Sequence, residues 1–143
     1  AKYTRLVIQE FMKYAEFGGE IKIDGNSIYE NTFVIALANS SQFGNNARIA
    51  PYASVCDGEL DISLVKKVPF IKAPAFAYRM FTGTLGQSNF VKLIKGREIG
   101  LRFSNPVAYH IDGEAMQPES QFTIKINPGS IRLLIPPGLI KKI

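Results

Sequence analysis

Apolar residues recur at Tyr3, Val7, Phe11 and Tyr14, with Leu6 beside them, and this three-to-four spacing predicts an amphipathic helix ended by Gly18-Gly19. From Glu20 to Ile23 the period changes to two, which predicts a strand. Asp24-Gly25 reads as a turn and Ile28 to Ala38 as a longer strand, so the pair predicts a hairpin. Leu60, Ile62 and Leu64 alternate with Asp61 and Ser63, the pattern of a strand buried on one face. Ala73, Phe76, Ala77, Met80 and Phe81 then share a helical face. Pro74 is tolerated only in a first turn, so this helix is expected to begin near Lys72 and to end at Gly83 and Gly86. Five more strands follow, over Phe90–Ile94, Ile99–Phe103, Val107–Ile111, Phe122–Ile126 and Ile131–Ile135. They are separated by Ser104-Asn105-Pro106, Asp112-Gly113 and Asn127-Pro128-Gly129. The expected fold is mainly β, an antiparallel β-sandwich with one or two attached helices.

One stretch breaks the alternation. From Ala38 to Ile62 the chain leaves a strand, passes through a loop rich in Asn, Gly and Ser, and re-enters a strand. Loops of this length inside a compact domain are uncommon and are usually functional or disordered. Phe43, Ile49, Ala50 and Val55 are expected to anchor this one. Ser54 and Asp57, with Gly58 next, form an oxygen-only cluster on a tight turn, suited to a hard cation such as magnesium.

At 143 residues, 46% hydrophobic and 20% charged, the chain fits one globular domain with its own core. The net charge of +5 favours anionic partners such as nucleotide phosphates, an anionic bilayer or nucleic acid, without choosing among them. Cys56 stands alone, so no intrachain disulfide forms and a reducing, cytoplasmic compartment is expected. The chain shows neither a signal-peptide pattern nor an apolar run of membrane-spanning length.

Two short acidic turns are the candidates for chemistry: Ser54 to Glu59, and Asp112-Gly113-Glu114. Either, alone, is most simply a plain β-turn, because Asp caps a turn and Gly supplies positive φ. The second has an apolar strand, Tyr109 to Ile111, leading straight into it, which would hold two carboxylates for general-base work near a hydroxyl. His110 is the only histidine, so no two-His metal site or Ser-His pair with a second His can be built, and alternation places it at the surface. Cys56 lacks a neighbouring His or Cys to activate it. Lys66-Lys67, Lys92/Lys95/Arg97 and Lys141-Lys142 read as solvated faces. No Walker or Rossmann phosphate loop and no grouped aromatic and basic residues for single-stranded nucleic acid occur, so nucleic acid is not an expected partner.

Asn39-Ser40, Gly44, Ile49-Ala50-Pro51, Ala53-Ser54 and Asp57-Gly58-Glu59-Leu60-Asp61-Ile62, followed some way on by Asp112-Gly113-Glu114, resemble the C-terminal half of the diacylglycerol kinase and sphingosine kinase superfamily. Soluble bacterial lipid kinases look most similar. The resemblance runs from about Glu20 over nearly the whole chain, and Ile135-Pro136 fits the end of the family domain. It implies a connecting helix over residues 1–17 and a sandwich over 18–143. The family's nucleotide-binding domain, with its Gly-Gly-Asp-Gly-Thr motif, is not in this sequence. One departure is Gly44-Asn45-Asn46, where the family has three glycines; Asn tolerates left-handed backbone, so the turn is compatible.

The resemblance further implies a magnesium turn at Ser54 and Asp57, with Glu59 contributing its backbone carbonyl. Asp112 and Glu114 match the catalytic turn, Glu114 at the position assigned as proton acceptor, the choice between them staying open. Mg2+ and ATP would be the cofactors, with ATP held mainly by the N-terminal kinase domain. The reaction would be phosphoryl transfer to a lipid hydroxyl, diacylglycerol or a sphingoid base, at a membrane surface to which a cytoplasmic protein attaches peripherally. The isolated fragment would be inactive, and a homodimer is compatible. The alternative is a non-catalytic sandwich that binds a lipid or protein partner, its acidic turns merely turns.

Overall fold

A computed structural model of the chain describes residues 14–131. The expected N-terminal helix and the strand expected over Ile131–Ile135 lie outside the described residues, apart from the one's last positions and the other's first. Among the described residues seven strands follow one another as β1 (Phe17–Ile23), β2 (Asn26–Thr32), β3 (Val34–Ala38), β4 (Leu60–Val65), β5 (Val91–Gly96), β6 (Glu98–Ile111) and β7 (Glu114–Lys125), with an α-helix, α1 (Ala73–Thr82), between β4 and β5. They form two antiparallel sheets, ordered β2-β1-β6-β7 and β3-β4-β5. The mainly β sandwich expected from the alternation is what forms.

The core lies between the sheets. Ile21, Ile23, Ile99, Leu101 and Phe103 of the larger sheet meet Ile62 and Leu64 of the smaller one, with Ile35, Leu37 and Ile94 packed around them. Complete burial of a residue such as Ile21, Ile62 or Ile99 contributes about 1.5–3 kcal/mol. The sheets approach so closely that a β-carbon at Gly96 would stand 2.4 Å from Ile23 Cγ2. Gly19 is likewise covered by the Phe103 ring, at 2.3 Å from where its β-carbon would be. Gly18-Gly19 therefore lies inside β1 to admit that ring, rather than ending a helix.

Three sequence expectations change here. The strand expected over Ile28–Ala38 is two strands in different sheets: β2 pairs with β1, and β3 with β4. The chain crosses at a bend where the Phe33 amide donates to the Val65 carbonyl at 2.7 Å. The core-facing positions pass from Ile28 and Thr32 to Ile35 and Leu37, a change of phase that the unbroken apolar run over residues 33–38 hides in the sequence. The β4 strand is buried on both faces, not one: Asp61, Ser63 and Val65 point away from the inter-sheet core into a second layer made by Ile49, Ala50, Leu85, Phe76 and Met80. Finally, the strands expected at Ile99–Phe103 and Val107–Ile111 are a single strand. Arg102 pairs with Gln121 and Val107 with Glu119, so β6 carries three more residues than β7 over this interval. Ser104-Asn105-Pro106 is thus a bulge that bends a continuous ribbon.

The central loop lines the back of the smaller sheet. Ile49 and Ala50 are its buried anchors, whereas Phe43 and Val55 are exposed, contrary to expectation. Ser63 Oγ donates to the Ile49 carbonyl at 2.8 Å, and the Arg48 amide donates to the Met80 carbonyl at 2.9 Å, fixing the loop to β4 and to the last turn of α1. Gly44 to Ala47 forms a tight turn with Asn45 and Asn46 both at positive φ, so asparagine does accommodate the backbone here. The helix starts and ends as the sequence indicated, with Pro74 in its first turn and Gly83 at φ 72 as its C-terminal stop. Its inner residues are Phe76 and Met80; Phe81, expected on the same face, is exposed because it falls on the opposite side.

Candidate functional site

The second acidic turn sits at the tip of the β6–β7 ribbon. Asp112 has φ 49 and Gly113 φ 92, two successive left-handed residues of the kind that a two-residue hairpin loop requires, with Ile111 opposite Glu114. The carboxylates of Asp112 and Glu114 are exposed, and among the described residues neither makes a hydrogen bond or an ion pair. What holds this tip is a run of rings. Phe17 packs edge-on to Phe103 at 5.3 Å between centroids, Phe103 to Phe122 at 6.1 Å, and Phe122 to Tyr109 at 4.9 Å. This run crosses the bulge and braces the bent part of the ribbon against the sheet.

The first acidic turn is built differently. Asp57 Oδ1 accepts the Glu59 amide at 3.1 Å, an Asx turn closed by Gly58 at φ 71, and Ser54 Oγ accepts the Cys56 amide at 3.3 Å. Asp57 Oδ2 accepts from Lys95 Nζ at 2.5 Å. That ammonium also stands 3.6 Å from Asp61 Oδ2, an ion-pair distance too long for a hydrogen bond, so this buried oxygen has a compensating charge and no hydrogen bond. The Lys95 hydrogen bond holds the Asp57 carboxyl below its ordinary range, while burial pushes Asp61 up despite the same lysine. Arg97 Nε lies 3.8 Å from Glu59 Oε1.

These residues do not fit a resident magnesium ion. Oxygen donors are the right kind, but the Lys95 ammonium occupies the place a cation would take between Asp57 and Asp61. Among the described residues no group of three or more His, Cys, Asp or Glu side chains is arranged to hold a metal.

The two acidic turns share no hydrogen bond or ion pair among the described residues. Asp57 is held beside the β5–β6 corner, and Gly58 lies against Pro128, just past the end of β7. Asp112 and Glu114 close the other end of the same ribbon. The central loop touches both ends, because the Phe43 ring lies 6.2 Å from that of His110, two residues before Asp112. His110 is exposed, as alternation indicates, and Phe43 is its neighbour.

Sequence reasoning missed the basic partners of this region. Lys95 and Arg97, expected on a solvated face, both face the Asp57–Asp61 segment. The available signal was the position of Asp61 in a strand otherwise apolar at every site but Ser63, since a buried carboxylate needs a cation. Asp24 does more than shape its turn. Its Oδ1 accepts the amides of Arg97 at 3.0 Å and Glu98 at 2.9 Å, locking the β1–β2 turn to the β5–β6 corner.

Residues 1–135 match the sequence profile described as the YegS C-terminal NAD kinase beta sandwich-like domain. The chain belongs to that family. A probable YegS-like lipid kinase from Shewanella frigidimarina is 23% identical over 136 residues, which cover 95% of this chain and 43% of that protein. A second, from Pectobacterium atrosepticum, is 27% identical over 107 residues, 75% of this chain and 34% of its own. The chain thus spans less than half the length of these curated relatives. A putative diacylglycerol kinase from Bacillus anthracis str. Sterne superimposes with a TM-score of 0.66 at 20% identity, over 85% of this chain and 41% of that one. A further structure of a putative diacylglycerol kinase from the same organism gives 0.62 at 20% identity, over 90% and 47%. At this identity the superpositions establish a shared fold. Membership of the YegS C-terminal family supports a lipid kinase as the parent of the domain, as the sequence resemblance implied.

Proposed function

We propose that this domain supplies the proton-accepting turn of an ATP-dependent lipid kinase, phosphorylating a lipid hydroxyl of the diacylglycerol or sphingoid-base kind. The oxygen of that hydroxyl attacks the terminal phosphorus of ATP, the bond to the ADP oxygen breaks, and the hydroxyl proton passes to the carboxylate of Glu114 or Asp112. ATP, with the magnesium it carries as substrate, would be held by the kinase's other half, and the present chain alone would be inactive.

The observation that carries this reading is the tip of the β6–β7 ribbon, where two unpaired, exposed carboxylates stand on a left-handed turn braced by four rings. Among the described residues neither carboxylate has a competing cation or amide, so each is open to a substrate hydroxyl and can accept its proton.

The test is turnover of the full-length parent on diacylglycerol and sphingosine, comparing wild type with Asp112→Asn and Glu114→Gln. Loss of a positioned base lowers kcat by about 10²–10⁴-fold in at least one variant. Undiminished turnover in both removes the turn from catalysis. A second reading, a sandwich that only binds a lipid or protein partner, draws on the separation of the two acidic turns along the ribbon. It requires full activity of both variants, or none in the parent.

A further inference from the structure

From Lys66 to Phe90 the chain contains Lys66, Lys67, Lys72 and Arg79 and no Asp or Glu. In a protein with twelve acidic residues, such an interval makes this stretch of chain net positive. The same interval holds the largest exposed apolar side chains of the helical layer. After β4 the chain makes a short 3-10 turn, Phe70–Lys72, and runs directly into α1. Phe76 and Met80 take the inner face of that helix against Leu85 and Val65. The outer side is left with Phe70 at 61% exposure, Ile71 at 88%, Tyr78 at 69% and Phe81 at 59%. Tyr78 and Phe81 stand three apart on α1, and exposed Pro74 and Ala75 in its first turn connect them to Ile71 on the preceding 3-10 turn, so the exposed apolar residues follow one another along this segment.

Single exposed apolar residues need no explanation, but a contiguous stripe of large ones marks a contact surface. Charge decides what the contact is. Glu16 accepts the Lys67 amide and Glu30 lies beside Lys66 at the edge nearest the sheets, while the turn and helix that carry the apolar side chains have Lys72 and Arg79 and no acid of their own. Lysines flanking a stripe of Phe, Ile and Tyr match the interface of an anionic bilayer, where rings and aliphatic chains enter the headgroup boundary and ammonium groups meet lipid phosphates. Lys66 and Lys72 are both exposed, Lys72 directly follows Ile71, and its Nζ lies 5.3 Å from the centre of the Phe90 ring.

We propose that the turn Phe70–Lys72 and the outer face of α1 form a docking surface for an anionic phospholipid bilayer. This deepens the kinase reading by naming how the protein meets its substrate, and it rests on that reading only for the substrate being a lipid.

The full-length parent is sedimented with vesicles of phosphatidylcholine alone and of phosphatidylcholine with phosphatidylglycerol. The expected result is binding to the anionic vesicles, weakened by salt, and weak binding to the neutral ones. The pair Ile71→Ser and Phe81→Ser, both at solvent-facing positions, lowers the binding constant by at least about tenfold when combined. Lys66→Gln with Lys72→Gln removes most of the preference for the anionic lipid. Wild-type protein that ignores both vesicles, or variants that bind as wild type does, overturn the proposal. So does limited proteolysis of the parent in which Ile71→Ser and Phe81→Ser loosen it without vesicles present, since the stripe is then an internal contact. Turnover on diacylglycerol dispersed in detergent separates the two claims. The combined Ile71 and Phe81 variant keeps it while losing turnover on vesicles, whereas absence of turnover in both formats, with vesicle binding intact, tells against the kinase reading alone.

Discussion

The ammonium of Lys95 lies between the carboxylates of Asp57 and Asp61, hydrogen-bonded to the first and 3.6 Å from the second. One cation on β5 thereby compensates a buried acid on β4 and closes the turn that precedes that strand. Lys95→Met leaves the Asp61 carboxylate buried without a counter-charge, at a cost of about 1–3 kcal/mol, read as a lower midpoint in urea. Adding Asp61→Leu to Lys95→Met returns most of the loss, because an apolar pair of similar shape needs no cation there.

The same arrangement predicts indifference to divalent cations. Thermal melts of the chain in millimolar magnesium and in chelator are expected to coincide. In Lys95→Met, where Asp57 and Asp61 are relieved of the ammonium, magnesium is expected to raise the midpoint. A magnesium-dependent rise in the wild-type protein, lost in Asp57→Asn, contradicts this assignment of the turn.

Asp24 governs part of the response to acid. Its carboxyl is held below the ordinary 3.8, chiefly by the Glu98 amide and then by that of Arg97. A carboxyl with a depressed folded-state value stabilises above the unfolded value, and that contribution is lost as pH falls from about 4 through the lower, folded-state one. Asp24→Ala is expected to be less stable than wild type at neutral pH. The gap narrows in melts taken at successively lower pH below 4.

Gly96 marks the closest approach of the two sheets. Gly96→Ala places a methyl group 2.4 Å from Ile23 Cγ2 and is expected to destabilise by about 1–3 kcal/mol through overpacking. Gly100→Ala meets only Lys22 Cβ at 3.6 Å, an ordinary contact, and is expected to change the melting temperature little.

Substitutions at the ribbon tip should separate chemistry from folding. Asparagine is at home at positive φ, so Asp112→Asn is expected to melt within about 0.5 kcal/mol of wild type, the range of an exposed surface change, and Glu114→Gln likewise. A kinetic loss in either is then a loss of the carboxylate and not of the turn.

The sandwich was legible because the strands that face one core alternate plainly: Ile21 and Ile23, Ile99, Leu101 and Phe103. Alternation stops being informative where a strand has two apolar neighbours or changes sheets. Asp61 and Ser63 look like a solvent face in sequence, yet they lie under a loop and a helix that only the fold brings there. The change of phase at Phe33 is hidden in a continuous apolar run, and Ser104-Asn105-Pro106 resembles a turn although it is a bulge. At the site, the Asp112-Gly113 hairpin was visible from its residues alone. The partners Lys95 of Asp57 and Phe43 of His110 are distant in sequence, and no local pattern encodes them.

The central strand pair of the larger sheet, β1 with β6, joins residues separated by roughly eighty positions, such as Gly19 and Phe103. A ribosome making this chain must therefore expose the apolar side of the β1–β2 hairpin until most of the remaining sequence has emerged. That interval is when Ile21 and Ile23 are open to aggregation or to a chaperone, so expression at lower temperature should favour recovery of soluble protein.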